Sequence, residues 1–334
     1  MKRKALALLS GGLDSTLAVK VMLEQGIEVE ALNFTSPFCT CTAKSAGCKS
    51  EAVRVAEEFG IPIKIMNKGV DYLEVVRNPR HGYGKAMNPC VDCRIFLLRK
   101  AKEYLAASGA DFVITGEVLG QRPMSQRRDT LRVIERESGL EGLLLRPLSA
   151  KHFEPTLPER EGWVDREQLL AIQGRSRKEQ MQLADELDVK NYPCPAGGCL
   201  LTEVSFVSKV KDVFAHSDQL NLRDFRLLKV GRHFRVGPRT KALIGRNEAE
   251  NELLSHSLQA GEAAFRWLDG GSPLGVLMGT VTDELLDAAA KILLRYTKAE
   301  PGQPCAVKVV VDGAERHLSV SNDFADPEIE PFRI

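Results

Sequence analysis

The sequence predicts an α/β fold, a parallel-sheet domain followed by a smaller C-terminal α+β domain. Three observations predict it. Short strand-like runs at Lys4–Leu9, Val29–Phe34, Ile61–Met66, Asp111–Thr115 and Gly142–Leu145 alternate with stretches of helical spacing, the pattern of a parallel sheet with crossover helices. The first run passes through two glycines straight into a helix. Beyond residue 220 short strands gather around two helices instead. At 334 residues the chain accommodates two or three domains and a core that needs no crosslinks.

Taken in order, Asp14–Glu24 follows the first strand as an amphipathic helix, and Ser50–Phe59 separates the second and third strands. Cys90–Ala107 is a long helix with Asn88 as its cap and Pro89 in its first turn. The Pro-containing stretch Arg146–Pro158 closes the first domain, 1–158. A helical linker region, 159–220, holds two short helices between about 163 and 188, the loop Tyr192–Leu201 and a helix near Val204–Ala215. The last domain, 221–334, has short strands over Phe225–Gly245, helices Asn247–Leu258 and Asp283–Tyr296, and an acidic, frayed end at Asp323–Pro331.

Forty-six Lys+Arg against 45 Asp+Glu exclude a global polycation, so an anionic partner must be met by local patches. No apolar stretch approaches the ~18 residues that span a membrane. Met1-Lys-Arg-Lys mimics a secretory leader, but the apolar run after it stops within five residues and that reading is rejected. Eight cysteines without a leader point to a reducing cytoplasm, where thiols serve chemistry or metal.

Ser10-Gly11-Gly12-Leu13-Asp14-Ser15-Thr16 joins the first strand to the first helix. Its glycines let backbone N–H groups approach an anion, its hydroxyls add donors, and the helix presents its positive end. The spacing fits neither a Walker loop nor G-x-G-x-x-G. A plain strand–helix turn capped by Asp14 or Ser15 is the simpler reading of the glycines alone. The full string, however, resembles the signature of the PP-loop ATP pyrophosphatases, which cleave ATP between the α and β phosphates. The resemblance covers roughly the first 150 residues. It implies that Ser10, Gly11, Gly12, Asp14, Ser15 and Thr16 cradle the phosphates of ATP with Mg²⁺. It also places Asn33 and Phe34 near the adenine, and makes Thr115-Gly116-Glu117 a second nucleotide-contacting turn.

Cys90 and Cys93 share one face of a helix start, where the helix dipole favours thiolates. A persulfide carrier, a metal ligand or an iron–sulfur ligand needs that property; a redox pair or two buried cysteines is the plainer reading. Asn88-Pro89-Cys90-x-x-Cys93 resembles the segment found in PP-loop enzymes that thiolate tRNA, and Leu144–Leu148 resembles the stretch that closes the nucleotide domain of thiouridine synthases. Those enzymes use a further cysteine, for which Cys194-Pro-Ala-Gly-Gly-Cys199 is the source. Three arrangements stay open. Cys90 or Cys93 pairs with Cys199 as persulfide carrier and resolving thiol. Alternatively Cys90, Cys93 and Cys199 ligate a 4Fe-4S cluster, which two cysteines on one helix and one from a distant loop match. In the third, these three and Cys194 hold structural zinc. Cys39, Cys41 and Cys48, in the loop after the second strand, either line the site or are ordinary loop thiols. Cys305 reads as core.

Between Arg223 and Arg246 eight Lys/Arg stand against the single acid Asp224, with Phe225, His233 and Phe234 interleaved. Such a stretch suits phosphates and unpaired bases, against the plainer reading of a solvated charged face. Gly231–Arg235 and Ile244–Glu248 resemble the RNA-binding domain of the NFACT ribosome quality-control proteins, which implies RNA contacts from Arg226, Arg232, His233, Arg235, Arg239, Lys241 and Arg246. A second basic cluster, Arg122, Arg127, Arg128, Arg132 and Arg136, follows the Thr115-Gly116-Glu117 turn.

The expectation is a cytoplasmic ATP-dependent tRNA sulfurtransferase, with Asp14, Cys90, Cys93 and Cys199 catalytic. Sulfide or a cysteine desulfurase-type protein would supply its sulfur. The rivals are sulfur transfer to a small molecule or cofactor, and an RNA- or ribosome-binding protein whose nucleotide domain is regulatory.

Overall fold

The computed structural model describes residues 2–40, 48–192, 198–323 and 325–334. The chain divides into two compact units, 1–203 and 204–334.

In the first unit five strands, β1 (Lys4–Leu8), β2 (Glu28–Thr35), β3 (Ile63–Asn67), β4 (Phe112–Thr115) and β5 (Leu144–Leu145), form a parallel sheet in the order β3-β2-β1-β4-β5. Both faces of β1 are covered, which is why Ala5–Leu9 reads as a continuous apolar run. Ala5, Ala7 and Leu9 pack with α1 (Leu13–Glu24) and α2 (Cys48–Glu58). Leu6 and Leu8 face α4 (Cys90–Ser108) through Val91, Ile95 and Leu98. Gly109, at φ +65°, ends α4 in the left-handed conformation that glycine adopts without strain.

Two helices, α3 (Val70–Arg77) and α5 (Arg128–Ser138), are not among those the sequence predicts. Helix α5 carries six charged residues and buries Leu131 and Ile134, so its apolar stripe is narrow. After the short α6 (Leu157–Arg160), residues 163–188 yield a 3-10 turn and one helix, α7 (Lys178–Glu186), rather than two helices. Val164, Leu169, Ile172, Ala184 and Val189 join the first unit's core, so the segment expected as a linker packs with the parallel sheet up to residue 203.

The second unit has α8 (Val204–His216), α9 (Leu222–Leu227), β6 (Arg232–Gly237), β7 (Thr240–Ile244), α10 (Glu248–His256), β8 (Ala263–Trp267), β9 (Gly275–Gly279), α11 (Asp283–Leu294), β10 (Pro304–Val311), β11 (Ala314–Ser321) and α12 (Asp326–Ile329). Its six-stranded antiparallel sheet runs β11-β10-β8-β9-β7-β6. Phe225, expected in a strand, is helical: Asn221 caps α9 by accepting from the Asp224 N–H. Helix α11 covers one face through Leu286, Ala290 and Leu293. On the other face Leu227 of α9 and Leu254 of α10 pack on Leu243 and Val276. The acidic end is not frayed, because Ile329 is 1% exposed in the α11-side core. Among the described residues no helix is long and apolar enough to cross a membrane.

Candidate active site

The strand order reverses between β1 and β4, and the crevice at the carboxyl ends of such a pair is where open parallel sheets hold ligands. A cavity of about 150 Å³ lies there. Ser10, Gly12, Asp14, Ser15, Asn33, Phe34, Thr115 and Gly116 line it, so eight of the ten predicted nucleotide residues converge.

Gly11 and Thr16 serve the loop's shape instead. Gly11 sits at φ +77°, and a Cβ there would stand 2.5 Å from Glu51 Cβ. Thr16 is 2% exposed and its hydroxyl donates to the Gly12 carbonyl at 3.1 Å. Gly12 is the N-cap of α1 and no side chain caps that end, contrary to the capping role considered for Asp14 or Ser15. First-turn N–H groups are left for an anion. Ser15 Oγ donates to the Gly12 carbonyl and lies 3.1 Å from Ser10 Oγ, which fixes both hydroxyls on the loop.

The turn after β4 closes on this loop. A Cβ at Gly116 would meet Asp14 C and O and Ser15 N at 2.5 Å, so only glycine lets the two segments approach. Asn33 Nδ2 donates to the Leu9 carbonyl at 2.8 Å, leaving Asn33 Oδ1 buried without a partner. Gln121 donates to Asp14 Oδ2 at 2.9 Å, while Asp14 Oδ1 has no partner. These orphaned oxygens are acceptors waiting for an amino group or a cation. Behind the turn, Glu117 is 1% exposed and meets Arg146 at 3.2 Å and Arg94 at 3.3 Å.

Three cationic lining residues, Arg94, Arg122 and Arg177, were not assigned to the nucleotide from sequence. Arg94 follows Cys93 directly, so the helix that carries the thiols also carries a cavity cation. Burial lowers the Arg122 pKa; its neighbours include Arg94, the Cys90 thiol and the Asp14 carboxylate. The cysteine helix and the glycine loop thus meet at one edge.

Cys93 has the most developed surroundings. Lys68, just past the end of β3, donates to Cys93 Sγ at 3.3 Å, and the Tyr72 hydroxyl also contacts the thiol. Burial alone would raise the Cys93 pKa. Lys68, Tyr72 and Arg94 outweigh it and hold the thiol below its usual range. Burial and the neighbouring Cys93 raise Cys90. Cys199 is pushed up to about 11, by burial first and then by the charge of Cys93. Cys39 and Cys199 face each other in an isolated antiparallel bridge, with Leu200 N–H donating to the Phe38 carbonyl at 2.9 Å. This brings Cys39, weighed as a site thiol or a loop thiol, beside Cys199. Lys68 and Tyr72 gave no sequence signal beyond their place after a strand's carboxyl end.

Among the described residues no three His, Cys, Asp or Glu side chains converge as a metal-binding group. Cys93 nevertheless lies close enough to Cys90 and to Cys199 to add to burial in raising the pKa of both, and a Lys68 ammonium occupies one side of Cys93. Cys194 and Cys41, and the side chain of Cys48, lie outside the described residues. Cys305 is core, 5% exposed.

In the second unit the basic stretch is largely internally paired. Arg235 is bound by Asp212 and Arg246 by Glu250, and Arg232 stacks 4.3 Å over the Tyr296 ring. His233 and Lys241 are buried. Arg226 and Arg239 are exposed, the latter 3.4 Å from Asp218. The acids that compensate the stretch come from Asp212, Glu250 and Glu262, all outside the basic run itself.

Comparison with known proteins agrees with the two-part reading. Residues 1–153 match the family model described as thiamine biosynthesis protein (ThiI), and residues 231–333 match the NFACT protein RNA binding domain. The tRNA-specific 2-thiouridylase MnmA of Leptospira interrogans serogroup Icterohaemorrhagiae serovar copenhageni is 33% identical over 132 residues, 34% of each chain. That of Clostridium acetobutylicum is 32% identical over 135 residues, 35% of this chain and 36% of the relative. The matches span about a third of the length of these curated relatives. A solved structure of a 4-thiouridine synthetase–RNA complex with bound ATP superimposes with a TM-score of 0.39 at 21% identity, covering 68% of this chain and 52% of that one.

Proposed function

We propose that this chain, in which a PP-loop domain of the thiouridine synthase type precedes an NFACT-type RNA-binding domain, is an ATP-dependent tRNA-thiolating enzyme. The observation that carries this reading is the meeting of the uncapped glycine loop with a helix start whose Cys93 is held toward thiolate.

The loop and the α1 N-terminus hold the β and γ phosphates. Asn33 Oδ1, orphaned in the cavity, accepts from the adenine amino group. Asp14 Oδ1 would hold Mg²⁺, which neutralises phosphate charge when bound. A uridine carbonyl oxygen attacks the α phosphate and pyrophosphate leaves, with loop N–H groups and Arg94, Arg122 and Arg177 stabilising the charge that develops.

Cys93 carries the sulfur as a persulfide received from an external sulfane donor. Its terminal sulfur attacks the activated carbon and AMP departs, leaving the base joined to Cys93 through a disulfide. Cys199 thiolate then attacks the Cys93 sulfur, the thiouridine sulfur leaves, and a Cys93–Cys199 disulfide forms. An external dithiol reduces it. Burial keeps Cys199 protonated in the resting site, and the mixed disulfide at Cys93 removes only the smaller, electrostatic part of that effect. The pair is favoured over a cluster by the Lys68 ammonium on Cys93.

Incubating the chain with unmodified tRNA, ATP, Mg²⁺, a persulfide donor and a dithiol, then digesting the RNA for mass spectrometry, tests the reading. A nucleoside with sulfur in place of oxygen is expected. AMP release without any thionucleoside would overturn it.

A further inference from the structure

A second cavity, about 210 Å³, lies wholly within the C-terminal unit. It lies between helices α8 and α9 and the sheet face that carries His233, Lys241 and Leu243. One water needs only ~10–15 Å³. Val213, Leu227, Leu243 and Met278 give it apolar walls.

Two buried polar side chains in it lack the partners their chemistry calls for. Lys241 is 7% exposed and donates no hydrogen bond among the described residues. Its nearest carboxylate oxygen, Asp212 Oδ2, is 3.7 Å away and already accepts from Arg235 at 2.5 Å. His233 is 2% exposed. Its Nε2 lies 3.0 Å from the Val230 carbonyl, which can only accept, so Nε2 carries the proton. Burial, then Lys241 and Lys209, hold the ring's pKa well below its ordinary value. The ring is neutral and Nδ1 is an acceptor without a partner. Pairing of His233 with Leu243 and of Arg235 with Lys241 sets His233 and Lys241 diagonally across β6 and β7 on one face. An unused donor and an unused acceptor therefore share one partly apolar cavity.

A phosphate is the poorer occupant. Arg223 is met by Glu262, Arg235 by Asp212 and Arg239 by Asp218, and Asp224 also lines the cavity, so with Lys241 four cations are offset by four carboxylates. A planar heterocycle with a carbonyl beside a ring N–H satisfies both groups at once.

We propose that this cavity binds a single unpaired nucleobase with that edge, uracil or guanine, Lys241 donating to the carbonyl and His233 Nδ1 accepting from the ring N–H. Cytosine and adenine put a bare ring nitrogen where Nδ1 needs a donor. Leu243 and Met278 offer apolar surface to the ring. The role, reading one base of a bound RNA, rests on the RNA-binding reading of this unit; the chemistry of the cavity does not.

The test uses the full chain with the ATP cavity filled by a non-hydrolysable ATP analogue, and titrates uridine, cytidine and 3-methyluridine calorimetrically. Uridine should bind about tenfold or more tighter than the other two. Lys241→Met should remove that preference. Equal binding of all three by the unmutated chain, or binding of none, overturns the proposal whether or not the variant folds. Oligouridine and oligocytidine binding over a salt series runs in parallel. RNA bound with a steep salt slope but without uridine preference sinks the base site alone. No salt-dependent RNA binding sinks the RNA reading, and uridine preference in that case still supports the base site.

Discussion

Lys68 Nζ stands 3.3 Å from Cys93 Sγ, and the same ammonium lies 4.3 Å above the centre of the Tyr72 ring. The tyrosine hydroxyl contacts the same sulfur, so cation, ring and thiol form one assembly at the carboxyl edge of the sheet. A buried thiol without it would be protonated at neutral pH and unable to carry sulfur.

Removing the ammonium should therefore silence Cys93. In Lys68→Met, burial dominates and the thiol pKa rises, whereas in the parent chain it lies below the usual thiol value. Iodoacetamide labelling of Cys93, followed by peptide mapping across pH, should show its midpoint moved upward. Once the midpoint lies above neutrality, raising it by a further pH unit lowers the thiolate fraction at neutral pH by about tenfold. An unchanged midpoint would show that Lys68 does not act on this sulfur.

Cys93→Ser and Cys199→Ser should each abolish thionucleoside formation while binding an ATP analogue as the parent does, because neither thiol lines the nucleotide cavity. Thiolation surviving in either variant would remove that cysteine from the mechanism.

Gly116→Ala should damage the glycine loop from outside it. The new Cβ would lie 2.5 Å from Asp14 and Ser15 backbone atoms, which cannot swing aside as a side chain can. Urea denaturation should show a loss of about 1–3 kcal/mol, with weakened nucleotide binding. Gly271→Ala, which meets nothing within 4 Å, is the control and should stay within about 0.5 kcal/mol.

Arg146→Met should cost about 1.5–3 kcal/mol, since it strips one of two cations from buried Glu117, Arg94 staying, and one from Glu135. The double variant Glu117→Met/Arg146→Met should recover part of that loss, as the buried Glu117 carboxylate is gone and only the more exposed Glu135 and Arg94 are each left without an ion-pair partner. A double variant less stable than Arg146→Met would contradict the account of this pair.

Much of this was legible in the sequence where one segment carries the information. Ala5–Leu9 is apolar on both faces because helices cover both, and Ser10–Thr16 announces its loop through its full string of residues rather than through its glycines alone. Helix α5 was hidden because only Leu131 and Ile134 anchor a segment otherwise rich in charge. The Lys68–Cys93 contact and the Cys39–Cys199 bridge join distant segments, and no local pattern encodes them. The basic run shows its charge but not its pairing. Strand alternation turns His233 and Lys241 inward, and Asp212, Glu250 and Glu262 reach in from outside the window to pair with its arginines.

The attack of a uridine carbonyl oxygen on the α phosphate is tested most directly by following that oxygen. A tRNA carrying ¹⁸O at the uridine carbonyls, turned over with ATP and a sulfur donor, should release AMP containing the label, one per sulfur incorporated. Thionucleoside formation with unlabelled AMP, or with ADP as the product, would contradict the account.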